Sequence, residues 1–268
     1  MTNHENFMNW DNPGRALITG SSSGIGAEFA RQLASQGFDL ILVARRIDKL
    51  KALSIELQKK YSISAEVLVA DLSKLIDTEK VVSRILELDN LDVLINNAGF
   101  GVMGNFVDID RKRHVDMINV HLTSPVMLCH AAIPIMKKRK RGVIINTSST
   151  AAINKSSYPW SLMYSTTKGA ITIFSEILKD KTRRTGIYIQ ALCPGITYTE
   201  FHDSETMQGF RRDSISKESY MTPEEVVSLS LKNIKTKNVI FVAGETNLNK
   251  AMNNRKSTVN KYLNVRIL

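Results

Sequence analysis

The chain has 268 residues, 43% of them hydrophobic, which suits one large α/β domain and is too short for two full ones. Two cysteines give no disulfide framework and favour a reducing compartment. The amino terminus lacks a signal-peptide pattern. The most apolar stretch, residues 126–136, falls short of the roughly 20 residues that a spanning helix needs. We therefore expect a cytoplasmic protein with no stable membrane insertion.

The net charge of +10 is compatible with binding to nucleic acid, a membrane surface or an anionic ligand. The basic run at residues 137–141 lies where a helix should end, and cations stabilise a helix C-terminus. Because no nucleic-acid motif accompanies it, we interpret this run as a solvated helix end and expect no nucleic-acid partner. His114, His121 and His130 lack the spacing of metal ligands, so we expect no metal site.

Apolar runs of strand length alternate with helical patterns along the whole chain. Near-continuous apolar strands separated by crossover helices are typical of a parallel sheet covered on both faces. The sequence predicts a single α/β domain over 1–268, with a doubly wound, Rossmann-type parallel sheet of about seven strands and helices on both faces. We divide it into a cofactor half (about 15–147), a catalytic and substrate half (about 148–245) and a basic tail (246–268). The predicted strands are residues 16–19, 40–44, 65–70, 91–96, 143–147, 187–193 and 239–242.

A glycine-rich turn joins the first strand to the first helix, reading Thr-Gly-Ser-Ser-Ser-Gly-Ile-Gly from Thr19. Glycines let the backbone approach a pyrophosphate closely, and the helix N-terminus adds free N–H groups and the positive end of the helix dipole. Such a loop can be only a tight turn, but its position after strand one favours a dinucleotide site. The predicted cofactor-binding residues here are Gly20, Ser22, Ser23, Gly24, Ile25 and Gly26.

The second strand ends at Ala44 and is followed by Arg45 and Arg46. NAD sites usually place an acid here for the ribose 2′-hydroxyl, whereas arginine accommodates a 2′-phosphate. Arg45 therefore predicts NADP, with possible help from Arg46 and with NAD still possible; the alternative is a solvated surface pair. The carboxyl edge of the sheet, where ligands bind in open α/β folds, carries further cofactor candidates. They are Asp71, Leu72, Asn96, Ala98 and Gly99.

Tyr164 and Lys168 are four residues apart, which places both on one face of a predicted helix. A phenol has a pKa near 10, and a nearby ammonium should lower that pKa toward the working range of an acid–base group. Such pairs also occur by chance on exposed helices. Ser148 and Ser149 follow strand five at the same sheet edge, where a hydroxyl could bond a substrate carbonyl or cap a turn.

Together these motifs resemble the classical short-chain dehydrogenase/reductase (SDR) family over about residues 15–242. The matching residues, in order, are Thr19-Gly20-x-x-x-Gly24-x-Gly26, Asp71, Asn96-Asn97-Ala98-Gly99, Asn119, Ser149, Tyr164-x-x-x-Lys168, Pro194-Gly195 and Thr199.

The resemblance implies that Tyr164 is the general acid/base and that Lys168 holds the nicotinamide ribose and tunes Tyr164. It also implies that Ser149 orients the carbonyl and that Asn119 interrupts its helix to hold a proton-relay water. A homodimer or homotetramer is usual in the family. The resemblance completes the cofactor set with Tyr164, Lys168, Pro194, Gly195, Thr197 and Thr199.

Two departures from the family pattern bear on the site. The interval from Ser149 to Tyr164, through residues 154–160, is a couple of residues longer than usual. This keeps Ser148 as the alternative catalytic serine and suggests a reshaped lip on the substrate pocket. Ser23 stands where many NADP-preferring members carry arginine, so the NADP prediction depends on Arg45.

The predicted function is an NADP-dependent oxidoreductase that moves a hydride between nicotinamide and a carbonyl or alcohol substrate (ketone, aldehyde or acyl-derived). The first alternative is a non-catalytic dinucleotide-binding regulatory module on the same fold. The intact set of Asn119, Ser149, Tyr164 and Lys168 argues against it, because a sensor has no use for a tuned phenol. A basic nucleic-acid binder is the second alternative.

Two segments carry less of the family pattern. Residues 201–220 are polar with a few aromatic residues, which is more typical of a mobile lid over the substrate than of a core helix. Beyond Glu245 the chain is basic with no acidic residue. We expect a solvated, partly frayed terminus there. The alternative is a basic surface near the pocket mouth that favours anionic substrates.

Overall fold

The computed structural model describes residues 8, 10–153, 162–210, 216–236 and 238–262, those from 254 onward as backbone only. Seven of its strands form one parallel sheet, and two short ones pair beside it. In chain order the strands are β1 (Arg15–Thr19), β2 (Asp39–Ala44), β3 (Ala65–Val69), β4 (Leu91–Asn96), β5 (Gly142–Thr147), β6 (Ile187–Cys193), β7 (Ile196–Thr197), β8 (Tyr220–Met221) and β9 (Ile240–Val242).

The order across the large sheet is β3-β2-β1-β4-β5-β6-β9, with parallel pairing throughout. The reversal of strand order on either side of β1 defines a doubly wound sheet, so the predicted fold class is confirmed. Each of the seven predicted strands agrees with an observed one to within one residue. The carboxyl ends of β1 and β4 lie next to each other at this switch point, where open α/β sheets bind their ligands.

Helices cover both faces of the sheet. Ile18 of β1 packs into one core with Phe29 and Leu33, whereas its neighbour Leu17 packs into a second core with Leu128. This alternation follows from the two-residue period of a strand buried on both faces. The helices are α1 (Gly24–Ala34), α2 (Ile47–Tyr61), α3 (Leu75–Leu86), α4 (Arg111–Ile118), α5 (Ser124–Arg139), α6 (Leu162–Lys181), α7 (Pro223–Lys232) and α8 (Glu245–Tyr262).

A π-helical turn over Asn119–Thr123 joins α4 to α5 in one long helix. By length and composition alone, the span Arg111–Arg139 could cross a membrane, with a mean hydropathy of 1.3 in its most apolar window. Its α5 part is a core helix of this fold, because Leu128, Ala132 and Met136 are fully buried against the sheet.

The interpretation of residues 137–141 as a solvated helix end is only partly right. The lysines of the run are exposed. Arg139 and Arg141, however, both pair with the fully buried carboxylate of Asp92, at 2.9 and 2.6 Å. A buried carboxylate needs such partners to offset its desolvation. These two cations therefore fasten α5 and the start of β5 to β4.

The expectation of a solvated tail is wrong for its first turns. The chain forms α8 from Glu245, and Asn247 and Ala251 are buried. The side chain of Asn247 packs closely on Gly195. A Cβ added to that glycine would lie 2.4 Å from Nδ2 of Asn247. The start of the tail thus supports the turn that follows β6.

Candidate active site

The glycine-rich turn lies at the carboxyl end of β1 and is fastened to the loop after β4. Gly24 has a φ of +55°, and a Cβ on Gly26 would lie 2.3 Å from the carbonyl oxygen of Gly20, so glycine is required at both positions. The Asn97 side chain donates to the Thr19 carbonyl at 3.1 Å. Asn97 was matched to the family motif but not predicted as a site residue; its contacts make it a support of the turn.

Arg46, rather than Arg45, reaches the glycine-rich turn. Its guanidinium donates to the hydroxyl of Ser22 at 2.9 Å and to that of Ser23 at 2.7 Å. The same group pairs with Glu200 at 2.6 Å. The Arg45 side chain is exposed, and no hydrogen bond or ion pair joins it to the described part of the chain. Of the two arginines, Arg46 therefore contacts the turn, and the contact of Arg45 with a 2′-phosphate stays a prediction.

The candidates after β3 and β4 are held mainly by the protein itself. The Asp71 carboxylate accepts from the Ser73 hydroxyl at 2.8 Å, and the Leu72 carbonyl accepts from the Ser124 hydroxyl at 3.1 Å. Asn96 donates to the side-chain oxygen of Asn146 at 2.8 Å inside the sheet. The amides of Asn97 and Ala98 donate to Thr19, and Gly99 is exposed at the sheet edge.

Asn119 begins the π-helical turn, as its predicted interruption of the helix requires. Its side-chain amide donates to the carbonyl of Ser73 at 3.0 Å. This contact ties the long α4–α5 helix to the loop after β3. π-Helical turns inside α-helices are frequent at functional sites, because they turn a side chain away from the regular helical face.

Tyr164 and Lys168 share one face of α6, and the Lys168 Nζ lies 5.8 Å from the phenol ring centroid. The Ser149 hydroxyl is hydrogen-bonded to Tyr164. Ser148 is buried and already bonded to the Lys168 carbonyl at 2.8 Å and to Thr172 at 2.6 Å. Of the two candidate serines, only Ser149 therefore contacts the phenol. The long interval that raised the question, residues 154–160, lies outside the described residues.

The expected lowering of the Tyr164 pKa is not found, because the net shift has the opposite direction. Burial raises the pKa of Tyr164 to about 12, and the bond from Ser149 only partly opposes this. Burial also lowers the pKa of Lys168 to about 8. The ammonium donates to the carbonyl of Thr147 at 2.7 Å rather than to the phenol. Desolvation disfavours both charged forms, and it is the largest cause of both shifts.

His121 is a buried neighbour of the pair that sequence reasoning set aside. Its ring lies edge-on to Tyr164 at a centroid distance of 5.6 Å, and it is 2% exposed. Its Nε2 accepts from the Phe100 amide at 3.1 Å, so Nδ1 carries the proton and donates to Thr167 at 2.9 Å. Burial and the Lys168 charge hold the pKa of His121 well below 6.5. His114 contacts Phe106, and His130 is exposed.

The turn after β6 contacts both the loop after β5 and the glycine-rich turn. The Pro194 carbonyl accepts from the Thr150 amide at 3.0 Å, and Thr197 is buried with its hydroxyl on the Gly195 carbonyl. Thr199 packs on Gly24: a Cβ on that glycine would lie 2.8 Å from the threonine methyl. The two turns therefore pack against each other, and Ser23, Gly24 and Thr199 line one cleft.

The segment expected to be a lid lies on this cleft. It begins with 3₁₀ turns at Glu200–Asp203 and Glu205–Met207, and residues 211–215 lie outside the described chain. The Phe201 ring contacts Tyr164 at a centroid distance of 5.8 Å. Met207 is 1% exposed and packs beside Gly101. The start of this segment is thus packed over the phenol.

These features suit a dinucleotide. The glycines of the turn are packed against the chain's own atoms, those of Ala98, Thr199 and Gly20, so the turn keeps the tight course that a pyrophosphate-binding loop needs. Ser23 precedes α1 without a side-chain bond to its first turn, which leaves amide groups of the helix N-terminus free for a pyrophosphate. Among the described residues, no group of three His, Cys, Asp or Glu side chains is arranged to hold a metal ion.

Comparisons with known proteins agree with this geometry. The family model described as short chain dehydrogenase matches residues 15–208. The chain is 30% identical over 247 residues to 7beta-hydroxysteroid dehydrogenase of Mediterraneibacter gnavus, covering 92% of this chain and 90% of that protein. It is 33% identical over 224 residues to NADP-dependent 3-hydroxy acid dehydrogenase of Schizosaccharomyces pombe, covering 80% and 84%. Some curated relatives are longer: the chain spans 56% of hydroxysteroid dehydrogenase-like protein 1 of Gallus gallus.

Among solved structures, a short-chain dehydrogenase from Sphingobium yanoikuyae in complex with NADPH superposes with a TM-score of 0.80 at 28% identity. The match covers 95% of this chain and 96% of the other. The predicted family and enzyme class are confirmed. The chain belongs to the short-chain dehydrogenase family of oxidoreductases.

Proposed function

We propose that the protein is an NADP-dependent oxidoreductase that interconverts a carbonyl and an alcohol, with a ketone, an aldehyde or an acyl-derived compound as substrate. The observation that carries it is the Tyr164 phenol, bonded to Ser149 and four residues from Lys168, at the sheet edge beside a glycine-rich turn. NADP is supported by the Arg46 guanidinium on that turn, and by the NADPH and NADP that the names of two similar proteins mention.

For reduction, NADPH would supply the hydride when it is bound, and the chain would supply placement and a proton. Tyr164 donates that proton to the carbonyl oxygen, and Ser149 orients the same oxygen. With its pKa raised to about 12, the phenol is protonated at neutral pH, which suits reduction. Lys168 would hold the nicotinamide ribose and would return a proton to Tyr164 after each reduction. Asn119 holds a water that connects this ammonium to solvent.

The test is oxidation of NADPH, followed by absorbance, with a panel of aldehydes, ketones and acyl-derived carbonyl compounds; NADH is run in parallel. Substrate-dependent turnover with NADPH supports the proposal. Tight NADPH binding without turnover of any carbonyl or alcohol would favour the regulatory module instead.

Cofactor choice gives a prediction that separates the two neighbouring arginines. Arg46→Ala removes the guanidinium that contacts Ser22 and Ser23, and it should weaken NADPH binding by about tenfold or more. A charge-assisted contact is worth about 1.5–3 kcal/mol, and each 1.4 kcal/mol is tenfold. Arg45→Ala is the matched control and should change NADPH affinity by less than about threefold. Titration of both cofactors measures this; the opposite ranking would return the role to Arg45.

We also propose that the protein is a cytoplasmic homodimer or homotetramer in which α4 and α6 face a second copy. Val115 and Ile118 on α4 and Ile173 and Ile177 on α6 are 37–58% exposed, although all four are large and apolar. An exposed apolar patch of this kind marks an interface. Ile173→Asp should shift the mass measured by light scattering toward the monomer, whereas Ile55→Asp, on exposed α2, should not. A wild-type monomer would contradict the proposal.

A further inference from the structure

We propose that Glu200 is an internal competitor for the 2′-phosphate of NADP, and thereby a determinant of cofactor choice outside the glycine-rich turn. The inference rests on the proposed NADP function. It concerns a carboxylate that follows β7, more than 150 residues away along the chain from the cations it contacts.

The Glu200 carboxylate divides its two oxygens between two cations. Its Oε2 lies 2.6 Å from Arg46 Nη1, and its Oε1 lies 2.5 Å from Lys49 Nζ. The other nitrogens of the same guanidinium bond the hydroxyls of Ser22 and Ser23. The cations that a 2′-phosphate would use beside the turn therefore already hold an anion.

This carboxylate resembles a phosphate group in its negative charge and in the hydrogen bonds that it accepts. Guanidinium and ammonium groups bind both anions through charge-assisted hydrogen bonds. Lys49 and Arg46 lower the pKa of Glu200 to about 2, so it is ionised throughout the neutral range. The three side chains are 45–49% exposed. An exposed pair contributes little stability and is readily exchanged for a ligand.

The competition affects NADP and NAD differently. A 2′-phosphate carries nearly two negative charges and must displace Glu200 or share its cations with it. A 2′-hydroxyl is neutral and leaves the ion pair intact. Glu200 therefore reduces the affinity for NADP without a matching effect on the affinity for NAD. It thereby reduces the preference for NADP over NAD that Arg46 and Lys49 create.

The experiment measures binding rather than turnover, by titrating the full chain with NADPH and with NADH. Glu200→Gln keeps the shape and removes the charge. We expect it to tighten NADPH binding by about tenfold at low salt, the equivalent of one charge-assisted contact, with NADH unchanged within about twofold. The gain should shrink as salt screens the site. Glu205→Gln, on the next exposed turn, is the matched control and should change neither affinity.

Lys49→Gln gives a second reading of the same cluster. It should weaken NADPH binding and leave NADH binding unchanged, because it removes one of the two cations that Glu200 contacts.

Weaker NADH binding by Glu200→Gln would overturn the inference, since it would mean that the carboxylate accepts from the ribose 2′-hydroxyl. Unchanged NADPH binding would overturn it too, and would leave Glu200 as a structural tether. Wild-type protein that binds NADH but not NADPH would contradict the proposed function as well.

Discussion

Tyr164→Phe is expected to lower kcat by about 10²–10⁴-fold, the range that general acid–base catalysis typically supplies. The substitution removes only the hydroxyl that bonds Ser149 and keeps the ring that packs against His121 and Phe201. NADPH affinity should therefore stay within about threefold of the wild type. Steady-state turnover with the best carbonyl substrate and fluorescence titration of NADPH measure the two quantities separately.

Lys168→Met is the companion variant, because the buried ammonium has two proposed roles where the phenol has one. It should lower NADPH affinity and kcat together, whereas Tyr164→Phe should change kcat alone. Turnover by Tyr164→Phe within threefold of the wild type would remove the phenol from the chemistry. A parallel loss of NADPH affinity in that variant would instead point to a damaged fold.

The fold was predictable because its signals are local. The apolar strand runs, such as 91–96, each identify a strand by themselves, and the glycine-rich turn after β1 identifies the topology. The site is less local. Arg45 and Arg46 are adjacent residues of the same type, so the sequence does not distinguish them. The path of the chain after β2 decides which guanidinium contacts Ser22. Glu200 contacts Arg46 from the segment after β7, and neither its position in the sequence nor its residue type predicts this contact.

The pKa values of the buried site residues were the other feature that the sequence could not predict. Spacing correctly put Tyr164 and Lys168 on one helix face, but it does not encode how far burial penalises each charge. The structure supplies that missing quantity, and it reverses the expected direction for Tyr164. His121 shows the same limit: its partners Phe100 and Thr167 are 21 and 46 residues away along the chain, so its burial cannot be read from its neighbours in sequence.

His121 should make the stability of the protein depend on pH. In the unfolded chain a histidine has a pKa near 6.5. In the folded protein, burial and the Lys168 charge hold the pKa of His121 well below that value. Between the two pKa values the unfolded chain binds a proton that the folded chain does not. The free energy of unfolding therefore falls as the pH drops below about 6.5, by up to about 1.4 kcal/mol per pH unit for this one group.

His121→Gln removes that titration, and His130→Gln, at an exposed position on α5, retains it. Urea unfolding of the cofactor-free protein between about pH 5 and pH 7 should therefore give a shallower loss of stability for His121→Gln than for the wild type or His130→Gln. At pH 7 the same variant should be less stable by about 1–3 kcal/mol, the cost of a poorly satisfied Phe100 amide. Equal slopes for all three proteins would mean that His121 is not held neutral by its contacts with Phe100, Thr167 and Lys168. A shallower slope would establish that the fold excludes a proton from the residue behind the phenol, where a second positive charge would oppose the Lys168 ammonium.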